Sequence, residues 1–101
     1  MYARMTAVQV APDQAENAIA AYLDSVPKAA KEMGATGSVL LINRETGEGL
    51  SFSLWGDEQA MHASAERAGE LRRSTTGQTA GSEVTRVEHY EVVHLEMEEA
   101  P

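Results

Sequence analysis

The fold is decided at Leu54-Trp55-Gly56-Asp57-Glu58, where an alternating strand pattern stops and an amphipathic helix pattern starts. Asp57 is a favoured residue for capping a helix N-terminus, and the only tryptophan of the chain lies at this junction. On both sides of it, the hydrophobic patterns predict the order strand, helix, strand, strand, helix, strand. In 101 residues, that order indicates one α+β domain of the split βαβ type.

The N-terminal third of the chain predicts one strand and one long helix. Residues 2–10 alternate loosely and are apolar on both sides, which is typical of a strand covered on two faces. Pro12 and Asp13 are suited to the first turn of a helix. Apolar residues then recur at three- and four-residue spacing, and the helix is expected to end near Gly34.

The middle of the chain predicts a hairpin followed by a second helix. Residues 36–42 and residues 50–55 have strand composition, and the polar segment 43–49, which carries two glycines, is the expected hairpin loop. Apolar residues at helical spacing over 60–71 predict the second helix. The doublet Arg72-Arg73 falls at its end, where it is expected to complement the helix dipole.

The C-terminal part of the chain predicts a loop, a last strand and a tail. Residues 74–83 are small and polar and include glycines, so they are expected to form a mobile loop. Residues 84–95 are the expected last strand. The resulting domain covers residues 1–95, and the acidic segment 96–101 is expected to be a flexible tail.

The composition argues against several classes of function. Sixteen acidic and eight basic side chains give a net charge of −8, so binding to nucleic-acid phosphates is not expected. The absence of cysteine excludes disulfides, thiolate nucleophiles and thiolate metal sites. No metal site is expected, because His89 and His94 on the last strand point to opposite faces. No membrane-spanning run or signal-like N-terminus is visible, so a cytoplasmic protein is expected.

The sheet is expected to have one face without helices. That face would carry either Val39, Leu41 and Trp55 or the opposite set, since alternation alone does not decide between them. Both sets contain large apolar side chains, which need a cover. An identical sheet from a second copy is the simplest cover, so we expect a homodimer that pairs through its sheet faces.

Four stretches of the chain resemble stretches of a known family. They are Val10-Ala11-Pro12-Asp13, Tyr22-Leu23-Asp24-Ser25-Val26-Pro27, residues 34–44 and Leu54-Trp55-Gly56-Asp57-Glu58-Gln59-Ala60. With them the chain, over about residues 2–95, resembles the dimeric α/β-barrel superfamily and, within it, the small antibiotic-biosynthesis-monooxygenase-like (ABM) proteins. The resemblance implies a ferredoxin-like βαββαβ protomer with a four-stranded antiparallel sheet, a sheet-to-sheet dimer, and a cavity between sheet and helices.

The resemblance also suggests an activity. Some members of the family oxygenate polycyclic phenols or quinols without metal or flavin, and others degrade haem. The haem-degrading members use an asparagine on the first strand and a histidine about ten residues past the tryptophan. This chain has no asparagine on that strand and has Ala65 at the helix position, so haem degradation is not expected. The resemblance therefore favours a cofactor-independent monooxygenase of a flat, quinol-type aromatic substrate.

Three residues of the last strand are the catalytic candidates. His89 and His94 have the ordinary pKa suited to taking a proton from a phenol, and Tyr90 is expected to share a strand face with His94. The sequence does not place either histidine inside or outside the cavity. The alternative for each is a hydrogen bond at a strand edge or at the rim of the dimer.

Three further residues are candidates for binding the substrate. Trp55 offers a large ring face on which a flat aromatic ligand could stack, with filling of the core as the alternative. Arg4 and Tyr22 could supply polar groups to the cavity, although Arg4 could equally pair with a carboxylate. Two other functions remain open: a module that binds a small ligand without turnover, and a structural dimer whose cavity is filled by side chains.

Overall fold

The computed structural model describes residues 1–98 and contains one four-stranded antiparallel sheet with the strand order β2-β3-β1-β4. The helices pack on one face of this sheet. The elements are β1 (Tyr2–Gln9), α1 (Ala15–Met33), β2 (Gly37–Asn43), β3 (Glu48–Trp55), α2 (Glu58–Ala63), α3 (Ala65–Thr76) and β4 (Glu83–Glu91). The predicted ferredoxin-like order is confirmed, and the sequence signals at the helix ends explain much of it.

Two local signals set the ends of helices as the sequence predicts. The Asp57 carboxylate accepts hydrogen bonds from the backbone N–H groups of Gln59 and Ala60, at 2.7 and 3.3 Å, and so caps α2. Gly34 ends α1 with a φ of 108°, a left-handed conformation that glycine adopts without steric cost. These ends position Trp55 directly before α2, at the end of a central strand.

The predicted second helix differs from the observed one in two ways. It divides at Ser64, which ends α2 and begins α3, and the Ser64 hydroxyl donates to the carbonyl of Met61 at 2.8 Å. A serine hydroxyl that bonds back to the preceding turn commonly bends a helix. The helix also continues to Thr76, so the predicted loop over 74–83 is wrong for its first three residues.

The last strand is shorter than the sequence predicts. β4 ends at Glu91, and residues 92–98 have no regular secondary structure, although the Val92 N–H donates to the Met1 carbonyl at 2.8 Å. The neighbouring strand β1 begins at Tyr2, which pairs with Glu91, so residues after Val92 have no strand residue to pair with. The prediction that residues 92–95 belong to the strand is therefore wrong. Of the predicted tail, residues 99–101 lie outside the described residues.

The two faces of the sheet carry different side chains. Val39 is paired with Phe52 and Leu41 with Leu50 across β2 and β3, and directly paired residues share a face. This face, here called the outer face, lies away from the helices. Trp55 has the opposite parity on β3 and packs on the helix side. The predicted grouping of Trp55 with Val39 and Leu41 is therefore wrong, because strand pairing joins odd positions of β2 to even positions of β3.

Within residues 1–98, no helix is both long enough and apolar enough to cross a lipid bilayer. In the same residues, no three His, Asp or Glu side chains are placed so that they could share a metal ion. The residues that can carry chemistry must therefore be sought in the space between the sheet and the helices.

Candidate functional site

Two adjoining cavities lie between the sheet and helices α1 and α3. One has a volume of about 90 Å³ and extends toward Trp55. The other has a volume of about 70 Å³ and extends toward the β2–β3 hairpin. Both are lined by Val8, Tyr22, Ser51, Thr75 and Thr76. Sites for small molecules usually measure roughly 300–1,000 Å³. A third, more open cavity of about 360 Å³ adjoins them between α1 and β2 and shares Ile19 and Tyr22 with the smaller one. A ring-sized ligand would therefore have to extend across these cavities or displace side chains.

Arg4 is the central polar residue of the larger cavity. It projects from β1, a central strand, and only 4% of its surface is exposed. One terminal nitrogen, Nη2, donates to the carbonyl of Met61 and to the Ser64 hydroxyl, the latter at 3.0 Å. Its guanidinium carbon lies 5.4 Å from the centre of the Trp55 ring, which is within the range of a cation–π contact. The α2–α3 junction and Trp55 therefore hold the guanidinium in place.

The charge of Arg4 has no carboxylate partner in the part of the chain that the structure describes. The ion pairs there are Arg44–Glu16 and Arg86–Glu88. The acceptors of Arg4 are a carbonyl, a hydroxyl and an imidazole, all of them neutral. The prediction that a carboxylate could pair with Arg4 is therefore wrong, because its strand position directs it to the helix face rather than toward the acidic surface.

A second guanidinium lines the same cavity. Arg72 projects from α3, and its charge, after burial, is the second cause that lowers the pKa of Arg4. The pKa of Arg72 is lowered in turn by burial and by Arg73. Arginine nevertheless stays protonated in proteins. No acidic side chain among residues 1–98 lines either cavity, so the cavity is positive inside a chain whose net charge is −8.

His89 lies at the edge of this arrangement. It is paired with Arg4 across β1 and β4, and its Nε2 accepts a hydrogen bond from the Arg4 Nε at 3.4 Å. The His62 ring packs edge-on against it, with 5.3 Å between ring centres. Burial, then Arg4, His62 and Arg72, lower the pKa of His89 below its ordinary value of 6.5. The imidazole is therefore neutral at neutral pH, and its acceptor nitrogen is occupied by the hydrogen bond from Arg4.

The other two catalytic candidates lie elsewhere. Tyr90 is paired with Ala3 on the outer face of the sheet, where its hydroxyl donates to the Glu88 carboxylate. That hydrogen bond raises the pKa of Tyr90. His94 is exposed in the segment after β4. Neither residue lines the cavities, because the end of β4 at Glu91 and the alternation of its side chains direct both away from the helices.

The binding candidates Tyr22 and Trp55 both line the cavity of Arg4. The Tyr22 hydroxyl is buried and has no hydrogen-bond partner within residues 1–98. Trp55 is fully buried, and its indole N–H donates to the Ser53 hydroxyl at 2.9 Å. The structure thus brings Arg4, Tyr22 and Trp55 together. Trp55 also fills the core, since none of its surface is exposed, and the Arg4 guanidinium lies over its ring.

Sequence reasoning missed three residues that contribute to the site. Ser64 contacts Arg4, and the nearby His62 contacts His89. Both lie where the predicted second helix divides into α2 and α3. The position of Arg72 at the end of the helix predicts an interaction with the helix dipole. The residue follows the buried Ala68 by four positions, however, and so lies on the inner side of α3. An arginine in phase with the apolar stripe was the available signal.

Comparison with known proteins finds relatives in sequence. No protein-family model matches the chain. It is 34% identical to the uncharacterized protein Rv2558 of Mycobacterium tuberculosis over 96 residues, which are 94% of this chain and 40% of that protein. The uncharacterized protein Rv2557 of the same organism is 31% identical over 96 residues, 42% of its length. The chain thus spans about two fifths of the length of these relatives.

Comparison with solved structures identifies the fold. A candidate antibiotic biosynthesis monooxygenase from Deinococcus radiodurans superimposes with a TM-score of 0.67 at 11% identity, covering 99% of this chain and all of the other. This chain shares the fold of that protein. A dimeric ferredoxin-like protein from an uncultured marine organism gives 0.66 at 16% identity, covering 93% and 95% of the two chains. SnoaB, a cofactor-independent oxygenase from Streptomyces nogalater, gives 0.52 at 16% identity, covering 93% and 92%.

These comparisons confirm the predicted resemblance at the level of the fold. Identities of 11–16% to the solved structures establish a shared chain topology, and one fold supports many unrelated activities. Any activity of this chain must therefore be argued from the cavity and its side chains.

Proposed function

We propose that the protein is a cofactor-independent monooxygenase of a quinol-type aromatic substrate, bound between the sheet and helices α1 and α3. The observation that carries the proposal is the buried Arg4 guanidinium beside the neutral His89 imidazole, at a cavity lined by Trp55 and Tyr22. The names of two solved neighbours, a candidate antibiotic biosynthesis monooxygenase and a cofactor-independent oxygenase, support it.

The two arginines supply the electrostatics that this chemistry requires. A phenol reacts with O2 after it has lost its proton, and a nearby positive charge lowers the pKa of the phenol. The buried Arg4 and the half-buried Arg72 stabilise the phenolate more strongly than fully water-exposed cations would. His89 is the base in contact with Arg4, and to take the proton its Nε2 must first give up the hydrogen bond from the Arg4 Nε, whose charge disfavours an imidazolium there.

The reaction balances without a cofactor for a substrate such as anthrone. Its anthranol tautomer is a phenol that loses a proton to the base. The resulting anion transfers electrons to O2, and one oxygen atom becomes the new ring carbonyl. The other oxygen leaves as water with the two hydrogens of the former CH2 group. The protein binds and orients the ring, favours the anion and holds the proton.

We expect the protein to accelerate oxygen uptake with anthrone and to form anthraquinone. Arg4→Gln removes the charge that stabilises the phenolate and should lower kcat/KM about a hundredfold. The measurement is oxygen consumption with product analysis by chromatography. The matched control is Arg44→Gln, which removes an exposed arginine of the hairpin paired with Glu16. Uptake no faster than in buffer, or equal in wild type and Arg4→Gln, would contradict the proposal.

A second function is favoured by one observation. Neither a histidine nor a carboxylate among the described residues lines the cavities. A proton that leaves a bound substrate must therefore pass the Arg4 guanidinium to reach His89, which lies behind it. A module that binds a small ligand without turnover needs no base. Ligands that raise the melting temperature without any oxygen uptake would identify this function instead.

We also propose that the chain forms a homodimer through the outer face of the sheet. Val39 and Leu41 on that face are 43% and 50% exposed, which is unusual for large apolar side chains in one patch. The solved marine neighbour is described as dimeric. A sheet that pairs with a second copy buries this face with the same residues from both subunits.

Leu41→Glu is expected to convert the dimer to a monomer. A charge at the centre of a dry interface is costly, whereas in a free monomer Leu41 is already half exposed and the change costs little. Light scattering coupled to size-exclusion chromatography measures the mass, which is 10.9 kDa for a monomer. Leu23→Glu is the control, since Leu23 is 63% exposed on α1. Equal masses for the two variants would refute pairing through this face.

A further inference from the structure

The cavity holds positive charge that the protein itself leaves unbalanced. Arg4 and Arg72 both line it, and no acidic side chain within residues 1–98 does. Burying a charge without an opposite charge is unfavourable by several kcal/mol. Proteins retain such an arrangement where a ligand supplies the missing charge, as arginines do in sites for carboxylates and phosphates.

Two sets of hydrogen-bond donors in this cavity are also unused. The Nε and Nη2 atoms of Arg4 have protein acceptors, but its Nη1 has none in the described part of the chain. The Tyr22 hydroxyl, buried in the wall of the same cavity, has no partner there either. The Tyr22 hydroxyl is the buried one of these groups, and a buried polar group without a partner costs about 1–3 kcal/mol. Both the arginine and the tyrosine are donors that an acceptor-only group would satisfy.

We infer that the ligand of this cavity is an aromatic acid that binds as its carboxylate, with the carboxylate oxygens accepting from Arg4, Arg72 and Tyr22. A carboxylate offers about four lone-pair sites and no donor, which matches a set of donors without acceptors. The apolar remainder of the cavity, including Val26, Ala30 and Met33 of α1, suits the ring. The aromatic part of this inference rests on the proposed function, but the charge of the ligand does not.

The two cavities measure about 90 and 70 Å³, and the third, more open cavity of about 360 Å³ adjoins them at Ile19, Tyr22 and Ile42. An acid of two or three fused rings would extend across them, and a two-ring acid is the smaller probe of this kind. The probe is therefore 1-hydroxy-2-naphthoate, which combines a phenol with a carboxylate. Its amide, 1-hydroxy-2-naphthamide, has nearly the same shape and no charge, and serves as the matched ligand.

Isothermal titration calorimetry on the whole chain at neutral pH tests the inference. We expect the naphthoate to bind at least about tenfold more tightly than the naphthamide, because charge-assisted hydrogen bonds replace neutral ones. Arg72→Gln should remove about tenfold of the affinity for the acid and leave the affinity for the amide unchanged. Arg67→Gln, at an exposed arginine of α3 that does not line the cavity, is the control and should change neither.

Arg4→Gln should have the same effect as Arg72→Gln, and circular dichroism verifies that the variant is folded. If Arg4→Gln does not fold, the half-buried Arg72 still tests the inference. Equal affinities for acid and amide, or no binding of either at about 1 mM, overturn it. Selective binding of the acid without oxygen uptake would contradict the oxygenase alone. Oxygenation of anthrone that the naphthoate does not inhibit would contradict the anionic ligand alone.

Discussion

Replacing Trp55 with alanine is expected to lower the free energy of unfolding by about 3–5 kcal/mol. The indole is fully buried at the end of β3, and its removal leaves a void next to the existing cavity. It also leaves the Ser53 hydroxyl without the indole N–H and the Arg4 guanidinium without the ring beneath it. Because small domains are stable by about 5–15 kcal/mol, this variant should be close to unfolding.

Urea denaturation followed by circular dichroism measures this loss. Tryptophan fluorescence is unsuitable, since Trp55 is the only tryptophan and the variant lacks it. Trp55→Phe is the matched control, because phenylalanine keeps a ring against Arg4 and should lose clearly less than alanine does. A loss below about 1 kcal/mol for Trp55→Ala would show that the site collapses readily and that the indole is not a structural support of the cavity.

Gly47→Ala is expected to cost about 3–5 kcal/mol, an unusually large loss for a hairpin turn. Gly47 has a φ of 80°, and a Cβ added there would lie 1.9 Å from the carbonyl oxygen of Val10. That oxygen belongs to the backbone, and the same two residues are joined by a hydrogen bond from the Val10 N–H to the Gly47 carbonyl at 3.0 Å. The turn cannot yield without breaking the link between the hairpin and the end of β1.

Gly81→Ala separates the two causes of this loss. Gly81 has a similar φ of 74°, but a Cβ there would meet no atom within 4 Å. The left-handed conformation alone costs roughly 1–2 kcal/mol, and this is the loss expected for Gly81→Ala. Thermal or urea unfolding of both variants measures the difference. Equal losses would mean that the contact with Val10 relaxes freely, contrary to the close packing of this turn.

The order of the elements follows from signals that lie within a few residues of each other. Asp57 caps a helix, and Gly34 ends one, because their side chains or lack of a side chain act on the adjacent backbone. Between Leu50 and Trp55, large apolar residues alternate with small polar ones, which marks β3 because successive side chains of a strand point to opposite faces. Such signals operate before any tertiary contact forms, so they predict the ferredoxin-like fold. The ends of α3 and β4 were predicted less well, because Gly77 ends α3 in a right-handed conformation within a run of small polar residues, and no turn signal marks the end of β4.

The candidate site was predicted only in part. Arg4, Tyr22 and Trp55 do meet at one cavity, since a resemblance to a fold with a known cavity placed them near it. His94 and Tyr90 do not join them. Which face a strand residue occupies depends on the register with its neighbours, and a shift of one residue reverses every side chain. That register is set by pairing between strands far apart in the sequence.

The sequence by itself determined the kinds and the order of the elements, because helix caps, turns and hydrophobic periods act over a few residues. Only the tertiary structure decided that Arg4 and Arg72 share one cavity that no carboxylate of residues 1–98 lines. These residues are separated by most of the chain, on β1 and α3, and no local pattern relates them. The packing of α3 across the sheet brings the two charges together, and their proximity in turn makes the cavity suited to an anion.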